Sequence, residues 1–316
     1  MTELATTKTG DRRVPKGYKT QSIDTAIDAE MYLFGLWKSL TLTQKAYKLS
    51  NWTKGCLDLN LIGIRQRYPE ASPSKLRYEF ARATLKSNFP DSIYQLISEY
   101  SQILMLTDPI SLALDIAEIL NALDIPYLIG GSVASTLMGE MRATEDVDIV
   151  ADIKMEKVAL LLQSLQPRFY VSEDAVRDAI RYKRSFSLID NESLGKVDIF
   201  ILKNNAFPQI EFQRRRSQLV RQNPDQSLVL PTPEDIILQK LTWYRMTKNE
   251  SQRQWRDVLG VLKLQGDRLD FEYMQKWAME LELSDLLETA CTESGIELLF
   301  VTSYFSPDSI NVDYSN

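Results

Sequence analysis

A chain of 316 residues and 36.3 kDa, 44% hydrophobic and 25% charged, has the composition of a globular protein of about two domains. It contains no histidine, which excludes Ser-His-Asp and Cys-His nucleophiles, imidazole bases and histidine-held metals, and its two cysteines are too few for a disulfide scaffold or a thiolate zinc site. The net charge of -6 is split unevenly, since residues 1–90 carry 15 Lys and Arg against 8 Asp and Glu and the remainder 22 against 35.

Residues 1–21, polar and aperiodic, predict a mobile tail. From Ser22, SIDTAIDAEMYLFGLWKSL predicts a helix capped by Ser22, with Ile27, Met31, Leu33, Phe34 and Trp37 at helical spacing. Two more helices follow in TLTQKAYKLSNWTKGCLDLNLIGIRQRYP and SPSKLRYEFARATLKSNFP, so residues 22–100 predict a basic, all-helical unit. Its charge suits a solvated surface or a contact with nucleic acid or an acidic partner. Asp108-Pro109 starts a further helix, after which short apolar runs alternate with helical stretches through IPYLIGG, SVASTLMG, DVDIVADI, KMEKVALLLQSL, SFSLID and KVDIFIL. This grammar predicts an α+β fold, a small mixed sheet with flanking helices, over residues 101–231. The chain turns helical again after Pro231, predicting a C-terminal helical bundle over 232–295 and a tail over 296–316. No apolar run of about 18 residues and no leader-like start occurs, so neither a membrane span nor secretion is expected. Cys56 and Cys291 lie in ordinary helical sequence and predict reduced, buried thiols in a cytoplasmic setting.

Asp146 and Asp148 stand two apart in TEDVDIVAD, an apolar run of strand character, so both carboxylates project from one face while Val147 and Ile149 pack the other way. Like charges this close repel unless a cation lies between them, and hard oxygens suit Mg²⁺ or Mn²⁺. Asp198, in KVDIFIL, brings a third carboxylate to the group if its strand pairs beside the first. Upstream, PYLIGGSVAS reads as a strand, a Gly130-Gly131-Ser132 turn and a helix with Ser132 as its N-cap. Such a turn presents backbone N–H groups and the positive end of a helix dipole, which favour phosphate. A phosphate cradle and a carboxylate cluster within one short unit describe a nucleoside triphosphate site.

The string GGSVASTLMGEMRATEDVDIV resembles the motif of the DNA polymerase β-like nucleotidyltransferase superfamily, and KLTWYR followed by RQWRDVLGVL resembles the Lys and Arg-Asp motifs of its AbiEii-type branch. The resemblance covers residues 108 to 295. It implies that Gly131 and Ser132, with Gly130, hold triphosphate oxygens and that Asp146, Asp148 and Asp198 bind two Mg²⁺ or Mn²⁺ ions. It further implies that Lys240 presents its amine to the nucleotide and that Asp257 orients Lys240 or an arginine. The implied reaction moves an NMP from an NTP to a hydroxyl of RNA, protein or a small molecule. The branch's toxins imply a cognate antitoxin, and RYPEASPSKLRYEFARATL resembles a short helical protein encoded beside such enzymes, which implies self-inhibition by the N-terminal part.

The remaining residues leave alternatives open. Arg142 anchors the loop before the Asp pair or touches nucleotide, and the Thr144 hydroxyl caps the strand end. Arg253 and Asp257 have the spacing of a helix-surface ion pair. Lys240 and Arg245 do not share a helical face, which leaves Arg245 without an assigned role. Trp243, Trp255 and Trp277 read as core, and Arg214-Arg215-Arg216 as a solvated helix or a guide for a polyanionic acceptor. A second function class is an inactive nucleotidyltransferase-like module, with the basic helices as a nucleic-acid-binding or protein-binding arm.

Overall fold

Thr41 opens the longest helix of the chain with a reciprocal cap. Its hydroxyl accepts from Gln44 N–H, and the Gln44 side chain reaches back to the Thr41 amide. The computed structural model describes residues 14–85, 89–100 and 105–297. The first helices are α1 (Ile27–Ser39), α2 (Leu42–Arg67), α3 (Pro73–Leu85) and α4 (Asp91–Glu99). Helix α1 starts four residues later than a Ser22 cap predicts, because the Ser22 hydroxyl is engaged with Asp24 2.8 Å away in a preceding turn. Helix α4 has no counterpart in the sequence reading; it forms by burying Tyr94 and Ile97 against Leu57, Leu61, Ile64 and Phe80.

Residues 1–13 of the expected tail lie outside the described residues, and its remainder is not free. Tyr18 donates to Glu30 at 2.8 Å, Lys19 N–H to the Glu293 carbonyl at 2.9 Å, and Gln21 to the Arg256 carbonyl at 3.0 Å. The reason is electrostatic: the buried pair Lys263–Glu30, 2.7 Å apart, needs neighbours to satisfy its remaining protons and lone pairs, and this segment supplies them. Cys56 is exposed on α2, correcting the expectation of two buried thiols, while Cys291 is buried and its thiol is pushed up to about 12 by burial.

The next elements are α5 (Pro109–Ala122), β1 (Tyr127–Ile129), α6 (Gly131–Met138), β2 (Asp146–Ala151), α7 (Val158–Leu165), β3 (Phe169–Tyr170), α8 (Glu173–Tyr182), β4 (Ser185–Asp190) and β5 (Lys196–Ile201), alternating as predicted except that β3 and α8 were not anticipated. Asp108 caps α5 by accepting from Ile110 and Ser111 N–H. The sheet order is β1-β2-β5-β4-β3, with β2 and β5 parallel and every other pair antiparallel. The fold is therefore α+β with a small mixed sheet between helices. Val147, Ile149 and Ala151 on β2 and Val197, Ile199 and Ile201 on β5 are buried in one core, which forces the alternate residues, Asp146, Asp148 and Asp198, onto the other face. Phe34, Trp37, Ala46 and Leu49 of α1 and α2 belong to that same core, so the basic helices pack as part of the α+β body.

Beyond the sheet come α9 (Ala206–Arg214), a hairpin of β6 (Arg216–Arg221) and β7 (Gln226–Leu230), and then α10 (Pro233–Met246), α11 (Gln252–Gln265), α12 (Phe271–Glu280) and α13 (Ser284–Glu293). The last predicted stretch splits between α12 and α13 at Glu282, which takes a left-handed φ of 58°. Arg214-Arg215-Arg216 straddles the junction of α9 and β6 and is not a solvated helix. Arg214 lies 3.8 Å from the Tyr273 ring centre and 3.2 Å from the buried Asp235. Of the expected tail 296–316, residues 298–316 lie outside the described residues. Among the described residues no helix is long and apolar enough to cross a membrane.

Candidate active site

The turn after β1 is shaped by the carboxylate it faces. Gly130 N–H donates to the Asp148 carbonyl at 2.9 Å, extending the β1–β2 pairing by one residue. Gly131 then adopts a φ of +55°, and a Cβ placed there would stand 1.8 Å from Asp148 Oδ2. Only glycine allows both the left-handed backbone and this approach. Gly131→Ala is expected to lower stability by about 1–3 kcal/mol in urea denaturation. By contrast Gly55→Ala on α2, where a Cβ meets nothing within 4 Å, is expected to raise it by about 0.5–1 kcal/mol.

Ser132 is not the helix cap. Gly130 holds that position, and Ser132 turns its buried hydroxyl toward the loop before β2, where it meets the Thr144 hydroxyl and lies 3.5 Å from the Asp146 carbonyl. Its backbone N–H donates to the Asp148 carboxylate. The positive end of α6 thus already faces a carboxylate. Thr144 is anchored from the N-terminal helices: its N–H donates to Thr53 Oγ1 of α2, and that hydroxyl donates to the Thr144 carbonyl, each at 3.2 Å.

The three carboxylates are neighbours on the sheet. Asp198 on β5 stands in register with Asp148 on β2, and Asp146 with Lys196. Burial, then the charges of Asp198 and Asp146, hold the Asp148 carboxyl above the usual carboxylate range, opposed by Lys240 and the Ser132 amide. The two oxygens of Asp198 accept from Ser187 Oγ and Lys196 Nζ at 2.6 Å each. Among the described residues no three His, Cys, Asp or Glu side chains are gathered so as to hold a metal ion. Lys196, two residues before Asp198 on the same strand face, holds one of the Asp198 oxygens. The spacing Lys-Val-Asp was the sequence signal for that contact.

Asp257 on α11 is the centre of a buried ionic group. Its Oδ1 and Oδ2 accept from Arg142 Nε and a terminal nitrogen at 2.9 Å each; Oδ2 also meets Lys240 Nζ at 2.8 Å and Ser135 Oγ at 3.1 Å. Burial works against the charge on Asp257, but Lys240 and Arg142 hold its carboxyl below the usual range. Lys240 is buried, and burial lowers its ammonium despite Asp257. The surface pair Arg253–Asp257 does not form, because Asp257 faces inward. Arg245 is remote from the site, bonding the Glu282 carbonyl at 3.2 Å and Asp285.

A cavity of about 570 Å³ opens against this group, lined by Gly130, Gly131, Ser132, Asp146, Asp148 and Lys240. Arg142 and Asp257 support Lys240 without lining the cavity, and Asp198 is likewise outside the lining. No residue of 22–100 lines this cavity, although Leu57, Phe80, Thr84 and Leu85 of α2 and α3 border a smaller neighbouring pocket together with Asp146 and Lys196. Trp255 and Trp277 pack in the C-terminal core as predicted, whereas Trp243 lines the cavity 5.2 Å from Lys240 Nζ. Phe207, Glu211 and Gln239 also line it and were not anticipated; a lone Glu between Ile210 and Phe212 in α9 was the available sign of Glu211.

No known family model and no curated protein matches the chain. Solved structures similar to it include an antigenic nucleotidyltransferase-like protein from Paracoccidioides brasiliensis, 18% identical over 61% of this chain and 96% of that one, with a TM-score of 0.38. The antibiotic-resistance factor ANT(2'')-Ia aligns at 16% identity over 57% of this chain and 97% of its own, with a TM-score of 0.36.

Proposed function

We propose that the protein is a nucleotidyltransferase that moves an NMP from an NTP to a hydroxyl, with pyrophosphate leaving. The observation that carries this reading is Asp148, a carboxylate pressed against the Gly131 turn beside Asp146 and Asp198, in a cavity that also exposes the buried Lys240. Asp146 and Asp148 offer the hard oxygen donors that Mg²⁺ or Mn²⁺ prefers, and a carboxyl held above its normal range by burial and then by neighbouring negative charge is one that a divalent cation relieves. Asp198 completes the set when Lys196 gives way. The ion, when bound, lowers the pKa of the attacking hydroxyl and neutralises the triphosphate. Gly130, Gly131 and Ser132 shape the wall for the phosphates, and Lys240 turns its ammonium to them while Asp257 and Arg142 fix its position.

The sequence resemblance to the AbiEii-type branch supports a toxin or phage-defence role in the cytoplasm, with RNA or protein as acceptor and a cognate antitoxin as partner. A second reading, a nucleotide-binding module without catalysis, is favoured by one observation, the engagement of Asp198 by Lys196 and Ser187. Incubation with each α-labelled NTP, Mg²⁺ and total cellular RNA and protein separates the two. Transfer of label that disappears in the Asp146→Ala/Asp148→Ala double variant is expected; NTP binding without label transfer to any acceptor supports the second reading.

A further inference from the structure

Glu211 is a buried carboxyl that the proposed chemistry does not use. It is 3% exposed on α9 and lines the same cavity, its Oε1 has no hydrogen-bond partner, and its Oε2 has only a long contact of 3.5 Å from Gln239 Nε2. The nearby Arg214 does not neutralise it, being turned to Asp235 at 3.2 Å and Glu234 at 3.5 Å. A buried acceptor left unpaired costs free energy unless something else fills the site. Gln239 also approaches the phosphate turn, its Oε1 lying 3.9 Å from where a Gly130 Cβ would stand. Glu211 is thus one side chain away from Gly130. Phe200, Phe207 and Trp243 line the same cavity.

We propose that Glu211 and Gln239 hydrogen-bond the edge of the nucleotide's heterocyclic base, whose faces contact Phe207 and Trp243. A carboxylic acid presents an O–H donor beside a carbonyl acceptor, and every base edge offers adjacent donors and acceptors. The acid form is maintained at neutral pH because burial, and secondarily Asp235, push Glu211 up to about 8. The inference rests on the nucleotidyl-transfer reading, since it assigns the base subsite of that same cavity.

The test is calorimetric binding of each NTP and of inorganic tripolyphosphate to the full-length wild type, Glu211→Leu and Glu211→Gln. Glu211→Leu is expected to weaken the best-bound NTP by about tenfold or more, one lost hydrogen bond in a dry site, and to leave tripolyphosphate within about twofold. Glu211→Gln keeps a donor and an acceptor, so it retains NTP binding at pH 7. Relative to Glu211→Gln, wild-type NTP affinity falls between pH 7 and 9 as the acid ionises. The other groups near Glu211, namely Asp235, Glu234 and Lys240 of α10, Arg214 of α9, Tyr273 of α12 and Lys203 of the cavity wall, are common to both proteins, so the ratio removes their titration. NTP binding to Glu211→Leu at wild-type strength, or a flat pH ratio, overturns the assignment. Wild type that binds tripolyphosphate no less tightly than NTP also overturns it and leaves the phosphate site standing. Failure to bind either ligand defeats the nucleotidyl-transfer reading itself.

Discussion

Asp257→Ala is expected to cost about 3–5 kcal/mol of unfolding free energy, because it strands two cations where one carboxylate now serves both. Lys240 and Asp257 have side chains only 4% and 5% exposed, and Arg142 approaches the same carboxylate through two nitrogens at 2.9 Å. Asp257→Asn keeps the shape and an acceptor and is expected to lose less. The pH dependence follows from the carboxyl being held below its ordinary value of 3.8. A depressed carboxyl contributes stability that is present above the unfolded value and is lost as the pH falls through the folded one. Urea denaturation at pH 7 and below pH 4 should therefore show the gap between wild type and Asp257→Ala narrowing in acid. A variant as stable as wild type at pH 7 would show that the ionic group is not holding α10, α11 and the Arg142 loop together.

Asp148→Asn is expected to separate activity from stability. Label transfer should fall by about a thousandfold, the equivalent of some 4 kcal/mol of lost charge stabilisation in the transition state. The fold should nevertheless become more stable at neutral pH. Asp148 is raised above its ordinary 3.8 by burial and by Asp198 and Asp146, so above that pH the unfolded chain ionises more readily than the folded one and the carboxyl subtracts stability. Asparagine carries no such charge and still accepts from the Ser132 N–H. Melting temperatures should rise in the variant at pH 7 and coincide with wild type near pH 3. Millimolar Mg²⁺ should raise the wild-type melting temperature by mass action and leave Asp148→Asn unmoved. Undiminished transfer in the variant would remove Asp148 from the chemistry, and a drop in neutral-pH stability would contradict the repulsion described here.

Much of the site was legible in local pattern. The alternation in β2 and β5 placed Asp146, Asp148 and Asp198 on the face opposite Val147, Ile149, Val197 and Ile199, because a one-residue slip would bury the carboxylates in the core. The strand, glycine turn and helix at 127–138 were likewise legible, since glycine spacing marks positive φ. The cap was misplaced from Ser132 by two residues, because a hydroxyl two positions into a helix can turn to another partner, here the Thr144 hydroxyl, and nothing local announces that choice. Helix α8 was missed although its Ser172 cap, acidic first turn and apolar stripe of Val176, Ala179 and Ile180 announce it locally, whereas α9 and the β6–β7 hairpin carry weaker signals and form where the sheet and C-terminal helices give them a surface to cover.

By itself the sequence determined the absence of imidazole chemistry, the α+β alternation, the shared face of the carboxylates and the glycine turn, all set by residue type or by separations of a few positions. The tertiary structure alone decided that Asp257 serves Arg142, 115 positions away, as well as Lys240, that Thr53 of the basic helices secures the Thr144 loop, and that Glu211 is buried at the cavity. Charge state follows burial and the nearest opposite charge, and both are properties of distances in space that spacing along the chain does not encode.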